Sequence, residues 1–338
     1  MKKIIFLFIF GLFFSCNKEK IDLPPLLENT LPSSSEMPFN LMLSENKFPD
    51  KIKKFYQIQN RDTLNILEFD KNKNLIFKYY KQFVDENWNG KFIYMIEANV
   101  YNEGKLVKTY YLHSNTEYEV FEYAYSGDNI RELKSFLLGY LKGYNNNPHL
   151  LIKEIKSYQA CIKFIKKIES ESKKRPNYTI KREFSKNEIK EYFNPNNIQD
   201  DGSYILYILN EKNKIQKIEY YAKNKKWDTN TKYFVYNNFN NLKKTYCLNK
   251  DKDTSRSTEY FYKNSNKIII KKENKIEISR KEFLNNTLIK YKYQGADSSY
   301  YGVEDYLLDK FEIPVKIIKN TREIDTSYSL KNFYEFYK

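Results

Sequence analysis

A seven-residue form recurs along this chain and constrains most of what the chain can fold into. Phe69-Asp70-Lys71-Asn72-Lys73-Asn74-Leu75 opens the series, and the form returns as Leu209-Asn210 to Ile215, Tyr236-Asn237 to Leu242 and Tyr262-Lys263 to Ile268. A version one residue shorter is Tyr101-Asn102-Glu103-Gly104-Lys105-Leu106. Each reads as an aromatic residue or Leu, a turn residue, two or three polar positions, then Leu or Ile. Measured on that last aliphatic, the neighbouring pairs 75/106, 215/242 and 242/268 lie 31, 27 and 26 residues apart. Such an interval holds two strands and two turns.

The pattern is that of successive β-hairpins. Tight hairpin turns need positive φ, which Gly tolerates best and Asn next. With nine Gly in 338 residues, Asn takes over, as at Asn237-Asn238, Asn240-Asn241, Asn264, Asn266 and Asn285-Asn286. The flanks are rich in Tyr, Phe, Ile, Val and Thr, which suit a pleated surface. Between Tyr204 and Tyr293 the turn signals predict an uninterrupted antiparallel meander. Ile215 and Tyr221 point one way while Ile218 and Tyr220 point the other, so both faces carry bulk. The expected fold class is mainly β: an antiparallel β-hairpin meander, as an extended or two-layer sheet, with one or two short helices. Lys and Glu recur on both faces, which disfavours a transmembrane β-barrel with a continuous apolar belt.

Two segments carry helical spacing. From Asn129 to Lys142, Ile130, Leu133, Phe136, Leu137, Tyr140 and Leu141 fall on one helix face, with Asn129 and Glu132 as a capping pair and Gly143 as the stop. Ser185 and Glu188 form a second capping box, opening a short helix over 186–193 that Pro195 closes. Tyr158, Ala160, Ile162 and Phe164 alternate and favour a strand, with a helix as the alternative.

The recurring form resembles the tyrosine–aspartate (YD) repeats of RHS-type bacterial proteins, whose core is Tyr-Asp, two variable residues, Gly, Arg or Lys, then Leu. Tyr236 to Leu242 and Tyr262 to Ile268 match in spacing, with Asn or Lys replacing the Asp and Asn replacing the Gly. Phe69-Asp70 keeps the acid and has Lys73 at the Gly position. The likeness covers about 69–112 and 204–294. It implies a β-meander scaffold and supplies no catalytic residues, because the repeat is structural in that family.

The N-terminus carries an address. Lys2 and Lys3 precede an apolar run from Ile4 to Phe14, too short for the roughly 20 residues of a membrane-spanning helix, and read as a signal peptide over 1–15. Phe13-Phe14-Ser15-Cys16 resembles the lipobox of bacterial lipoproteins. Ser15 and the placement of Cys16 fit; Phe stands at two positions where Leu and Ala or Ser are usual. The resemblance implies diacylglycerol on the Cys16 thiol and cleavage before it, which makes the membrane a partner through this anchor. Two or more acyl chains give stable attachment where one is marginal. No Asp follows Cys16, and Lys18-Glu19 hints at the acidic surface-export signal of Bacteroidota-like lipoproteins. The expected location is the outer membrane, periplasmic or outward-facing. Residues 16–48, with Pro24, Pro25, Pro32, Pro38 and Ser33-Ser34-Ser35, read as a flexible tether. Residues 49–338 form the β-rich repeat-like domain, with a subdivision near 129–200.

The formal charge of +15 invites a nucleic-acid reading. The chain has only seven Arg among 58 basic residues, however, and Arg is the side chain that reads bases through its fork. Lys, Asn, Ile, Tyr and Phe have AT-rich codons, so a low-GC genome explains the skew. The Lys are spread among turns and no specific nucleic-acid partner is expected.

No phosphate loop, nucleophile elbow, zincin motif or paired C-x-x-C is present. His113 and His149 join no nucleophile, so no catalytic residue, metal site or cofactor is expected. Asp251-Lys252-Asp253 lacks the Gly and Glu of a calcium loop, and Asp200-Asp201-Gly202 reads as a turn. Cys161 and Cys247 are either one disulfide, worth about 2–4 kcal/mol, or two isolated thiols. Two function classes survive: a non-enzymatic envelope lipoprotein binding an unknown macromolecule through exposed Tyr, and a secreted hydrolase acting through Asp297, Glu304 and Asp305 around Gly295 and Gly302.

Overall fold

The computed structural model describes residues 51–83, 92–113, 118–139, 152–169, 176, 178–195, 203–223, 225–226, 231–248, 253–285, 287–294, 301–311, 313–321 and 325–337. The first strands are β1 (Ile52–Gln59), β2 (Asp62–Phe69), β3 (Leu75–Phe83), β4 (Phe92–Asn102), β5 (Lys105–His113), β6 (Tyr118–Ser126) and β7 (Asn129–Gly139). The helix α1 (Tyr158–Glu169) interrupts them. Then come β8 (Tyr178–Phe184), β9 (Glu188–Pro195), β10 (Tyr204–Leu209), β11 (Ile215–Ala222), β12 (Lys225–Lys226), β13 (Lys232–Tyr236) and β14 (Leu242–Leu248). The chain continues through β15 (Thr254–Lys263), β16 (Asn266–Glu273), β17 (Ile276–Leu284), β18 (Thr287–Gln294) and β19 (Tyr301–Leu308). It ends with β20 (Pro314–Thr321), β21 (Asp325–Ser329) and β22 (Lys331–Phe336).

All pairings are antiparallel, and nearly all join sequence neighbours, as the hairpin reading requires. β12 and β13 share one partner: β12 lies along Tyr221 and Ala222 of β11, and β13 along Lys217 and Ile218. The end of the chain does something the repeat does not announce. β21 pairs with β20, and after the single residue Leu330 the chain continues as β22 on the free side of β1. This return makes the 22-stranded sheet a nearly closed barrel, more specific than an open meander.

Both sheet faces are buried over the first strands. Ile66, Phe77, Tyr79, Ile96, Leu112 and Val120 pack against α1 through Cys161, Ile165 and Ile168. Alternate residues build separate cores on the opposite face: Phe55, Leu67 and Phe69 with Ile313, and Phe121 and Leu133 with Ile180. Ile189, Tyr207 and Ile218 form another cluster farther along, and Phe283, Leu288 and Tyr306 a last one.

Three local expectations are corrected. Residues 129–139 are strand β7, not a helix. The register with β6 shifts between Tyr125–Ile130 and Ala124–Glu132, leaving Arg131 as an unpaired bulge residue. The bulge puts Ile130 and Leu133 in one cluster at a three-residue spacing, and so imitates a helical stripe. Likewise 186–193 is not a helix. Ser185 N–H and Oγ both donate to Glu188 O at 2.9 and 3.1 Å, which closes a hairpin into β9 rather than capping a helix. Conversely, 158–164 belongs to α1 rather than a strand. Its buried stripe is Cys161, Ile165 and Ile168, its N-cap is Ser157 (Ala160 N–H to Ser157 Oγ, 3.2 Å), and Lys166 and Lys167 sit at the favourable C-terminal end of the dipole.

Turn chemistry follows the Asn and Gly economy. Asn60-Arg61, Glu103-Gly104 and Asn274-Lys275 all have positive φ at both central positions, the primed geometry of two-residue hairpins. Asn240, Asn264 and Asn285 also take positive φ; Asn237, Asn238, Asn241 and Asn266 do not.

Candidate functional site

Three of the five repeat forms, and one turn outside them, share one physical device. In the turn after β2, Asp70 Oδ1 accepts the N–H groups of Asn72 and Asn74 at 2.9 and 2.8 Å. Asn210 Oδ1 does the same for Lys212 and Lys214, each at 3.0 Å. Asn237 Oδ1 holds Phe239 and Asn241 at 3.0 and 2.9 Å, and Asp309 Oδ1 holds Phe311 and Ile313 at 2.8 and 3.1 Å. Lys73, Asn213 and Asn240, three residues after the Asx, take positive φ. The form at Tyr262–Ile268 is different: Lys263 pairs with Asn266 around a two-residue turn.

The first-position tyrosines Tyr101 and Tyr236, and Tyr125 at the end of β6, have a job of their own. Tyr101 OH donates to Leu75 O at 3.2 Å, Tyr125 OH to Leu106 O at 2.8 Å and Tyr236 OH to Ile215 O at 2.8 Å. Each hydroxyl thus ties the start of one turn to the aliphatic that closed an earlier one. Burial pushes the Tyr101 phenol up to about 12, with Glu97 and Asp70 adding to it.

The carboxylates suggested for hydrolysis do not converge. Glu304 is buried and accepts from Tyr306 OH at 2.5 Å. Asp305, the next residue on β19, projects from the other face and pairs with Lys290 at 3.0 Å. Asp297 and Gly295 lie outside the described residues. Gly302 serves packing: a Cβ there would come within 2.3 Å of the Tyr293 ring. His113 ends β5 beside Tyr111, with ring centroids 6.3 Å apart. Cys161 and Cys247 are both free thiols, and burial pushes Cys161 up to about 12. Cys16, His149, Asp200, Asp201, Gly202 and Asp251 lie outside the described residues. Among the described residues no group of three or more His, Cys, Asp or Glu side chains converges in a way that would hold a metal.

Other polar clusters are structural. Arg182 Nε donates to Glu191 Oε2 at 2.7 Å, both buried, and Tyr207 OH donates to Glu191 Oε1 at 3.2 Å. The Lys–Tyr surface is ordered too. Tyr192, Tyr204 and Tyr221 stand side by side across β9, β10 and β11, the last two stacked at 4.5 Å and 7°. Burial would raise Glu219, but hydrogen bonds from Lys217, Lys226 and Tyr221 hold its carboxyl down to about 2.

One groove opens at the sheet end between two repeat turns. It has a volume of about 460 Å³; Asn187, Asn210, Gln216, Asn237 and Asn240 are the amides of its lining, which also includes the apolar Leu209 and the ring of Tyr236. Phe239, at the tip of the adjoining turn, is 86% exposed. No reaction-class motif includes these residues, although the repeat itself carries the signal. Two Asx turns on successive hairpins must lie on the same sheet end.

No protein-family model matches the chain, and no curated protein does. Among solved structures, the chain is similar to a porin-like protein from Bacteroides uniformis (12% identity, TM-score 0.35, covering 86% of this chain and 100% of that one). It is similar to a second porin-like protein from Bacteroides vulgatus (10% identity, TM-score 0.23, covering 84% and 98%). A third similarity is to a structure of TcdB2-TccC3-Cdc42 (9% identity, TM-score 0.30, covering 79% of this chain and 16% of that one). Superpositions this loose assign neither a family nor a function.

Proposed function

We propose that the protein is a lipid-anchored component of a bacterial outer membrane whose β-domain binds another macromolecule and catalyses no reaction. The observation that carries the anchor is the sequence Lys2-Lys3, Ile4 to Phe14, Ser15-Cys16. Support for binding over hydrolysis comes from β19, where Glu304 and Asp305 face opposite ways and each is already engaged. Buried Glu191 is similarly consumed by Arg182 and Tyr207. The positive charge is read as solvated surface. Lys217, Lys244 and Lys281 lie over the rings of Tyr233, Tyr246 and Tyr291 at 5.5, 5.8 and 5.1 Å, and their stems cover the sheet.

The test is metabolic labelling with a radioactive fatty acid in cells producing the wild type and Cys16→Ser. The wild type takes up label and fractionates with outer membrane. The variant takes up none and keeps its signal segment. An unlabelled wild type, or a variant that matures and fractionates as before, rejects the anchor.

A further inference from the structure

We propose that the groove between the turns at 210–214 and 237–241 is a binding site for a neutral glycan chain. The proposal rests on the reading of the folded part as a binding module and is independent of the anchor. It starts from a comparison of four equivalent turns. In two of them the second side-chain atom of the Asx residue is spent inside the protein: Asp70 Oδ2 accepts Asn74 Nδ2 at 2.9 Å, and Asp309 Oδ2 accepts Asn332 Nδ2 at 2.9 Å and Tyr334 OH. In the other two that atom is an amide nitrogen. Asn210 and Asn237 use Oδ1 to build the turn, and among the described residues neither Nδ2 donates to a protein acceptor. Both line the groove.

The lining is rich in amides. Asn187, Gln216 and Asn240 join Asn210 and Asn237, while Glu211 and Lys212 bring one charge of each sign. Side-chain amides carry two donors and an acceptor in one plane. They match the vicinal hydroxyls of a sugar, which donate and accept in equal measure, better than they match an anionic or a purely apolar ligand. The two turns are separated by two strand spacings, about 9–10 Å, so their amides address successive parts of a short oligosaccharide rather than one small solute.

An aromatic ring on one of the two turns adds to this chemistry. The position two residues after the Asx is Phe in two of the turns, Phe239 and Phe311. Phe311 is packed edge-on against Tyr334 at 4.7 Å. Phe239 occupies the same place in its own turn and is 86% exposed. Phe239 is outside the groove lining, at the tip of one of the two turns that bound it; its uncovered ring is a flat apolar face for the C–H side of a pyranose that extends past the amides.

The experiment uses the full mature chain in detergent micelles, titrated calorimetrically with maltohexaose, cellohexaose and chitohexaose. At least one is expected to bind. Phe239→Ala and Asn237→Asp should each weaken it by about tenfold or more. Asn237→Asp keeps the turn acceptor, as Asp70 and Asp309 show, and removes the donors. Asn264→Asp, at a hairpin away from the groove, should leave binding unchanged. Thermal midpoints close to wild type establish that the variants are folded. Absence of binding to all three sugars, or binding that survives both groove variants, overturns the proposal. A second arm titrates the mature chain, in the same micelles, with dihexanoylphosphatidylglycerol, a short-chain phospholipid. Lipid binding lost in Phe239→Ala, without sugar binding, assigns the face to lipid and also overturns it. Fatty-acid labelling at Cys16 is read separately, so failure here is distinguishable from failure of the anchor.

Discussion

Tyrosine and lysine, abundant through the codon skew, are the side chains with which this sheet covers itself, as where Lys217, Lys244 and Lys281 lie over Tyr233, Tyr246 and Tyr291. A Tyr ring supplies apolar area and its hydroxyl a donor, and at several positions here the donor goes to a defined carbonyl or carboxylate, as from Tyr236 to Ile215 O and from Tyr221 to Glu219. Glu219 shows how far a single group can be tuned by such neighbours. Its carboxyl titrates near 2 against an ordinary 4.5, because two amines and a phenol hold it against the cost of burial. A carboxyl depressed in the folded state contributes stability that is complete above its unfolded pKa and is lost as pH falls toward the folded value. We therefore expect Glu219→Gln to cost about 1.5–3 kcal/mol at neutral pH, the range for hydrogen bonds to a charged group. The gap to wild type should narrow below pH 4.5 and close near pH 2. Urea melts of both proteins across that range provide the measurement; a gap that stays constant would show that Glu219 is not the depressed group.

At the scale of elements, hairpins were legible in the sequence and the phase of their strands was not. The Asx turns at Asp70, Asn210 and Asn237 sit where the seven-residue form puts them. A fourth at Asp309 escaped because Pro314 replaces the closing aliphatic, although Leu308 still pairs with it. The groove beside Asn210 and Asn237 was therefore implicit in the repeat, whereas the exposure of Phe239 is set by the fold and not by its place in the repeat. Strand β7 read as a helix because the Arg131 bulge resets its alternation, and α1 read as a strand because Tyr158, Ala160, Ile162 and Phe164 mask the stripe of Cys161, Ile165 and Ile168. Deletions separate these readings. Removing Arg131 takes out the unpaired residue and leaves Ile130 and Leu133 on one face, so its cost should be about 1 kcal/mol or less. Removing Lys134 instead inverts the side chains beyond it, including buried Ser135, and should abolish cooperative unfolding. Equal effects of the two deletions in thermal melts would contradict the bulge.

For the whole molecule, the consequential event is the return of the last strand to the first. An up-and-down meander ends in two bare edges, each a template for pairing with another chain. Here the edge of β1 is covered by β22 in register from Ile52–Phe336 to Ile58–Lys331. A polar clasp fixes that closure. Gln57 Nε2 donates to Asn332 Oδ1 at 2.8 Å and Pro314 O at 3.1 Å, and Asn65 Nδ2 donates to Gln57 Oε1 at 3.1 Å. Asp309 stands at its centre, holding its own turn with Oδ1 and receiving Asn332 and Tyr334 on Oδ2. Burial raises the Tyr334 phenol, and its bond to Asp309 raises it further, so the phenol remains a donor throughout the physiological range. Asp309→Ala removes both functions at once and should cost about 2–4 kcal/mol, since it leaves several donors without an acceptor. Asp309→Asn preserves the turn, as Asn210 and Asn237 do, but sets an amide against the Asn332 amide; its cost should be about half. If the clasp closes the sheet, both variants will raise hydrogen exchange in β1 and β22 together and leave β15 to β17 protected. Deleting residues 331–338 should go further, exposing the β1 edge and driving concentration-dependent association seen by light scattering. A truncated chain that stays monomeric with β1 still protected would mean that the sheet does not depend on its last strand for closure.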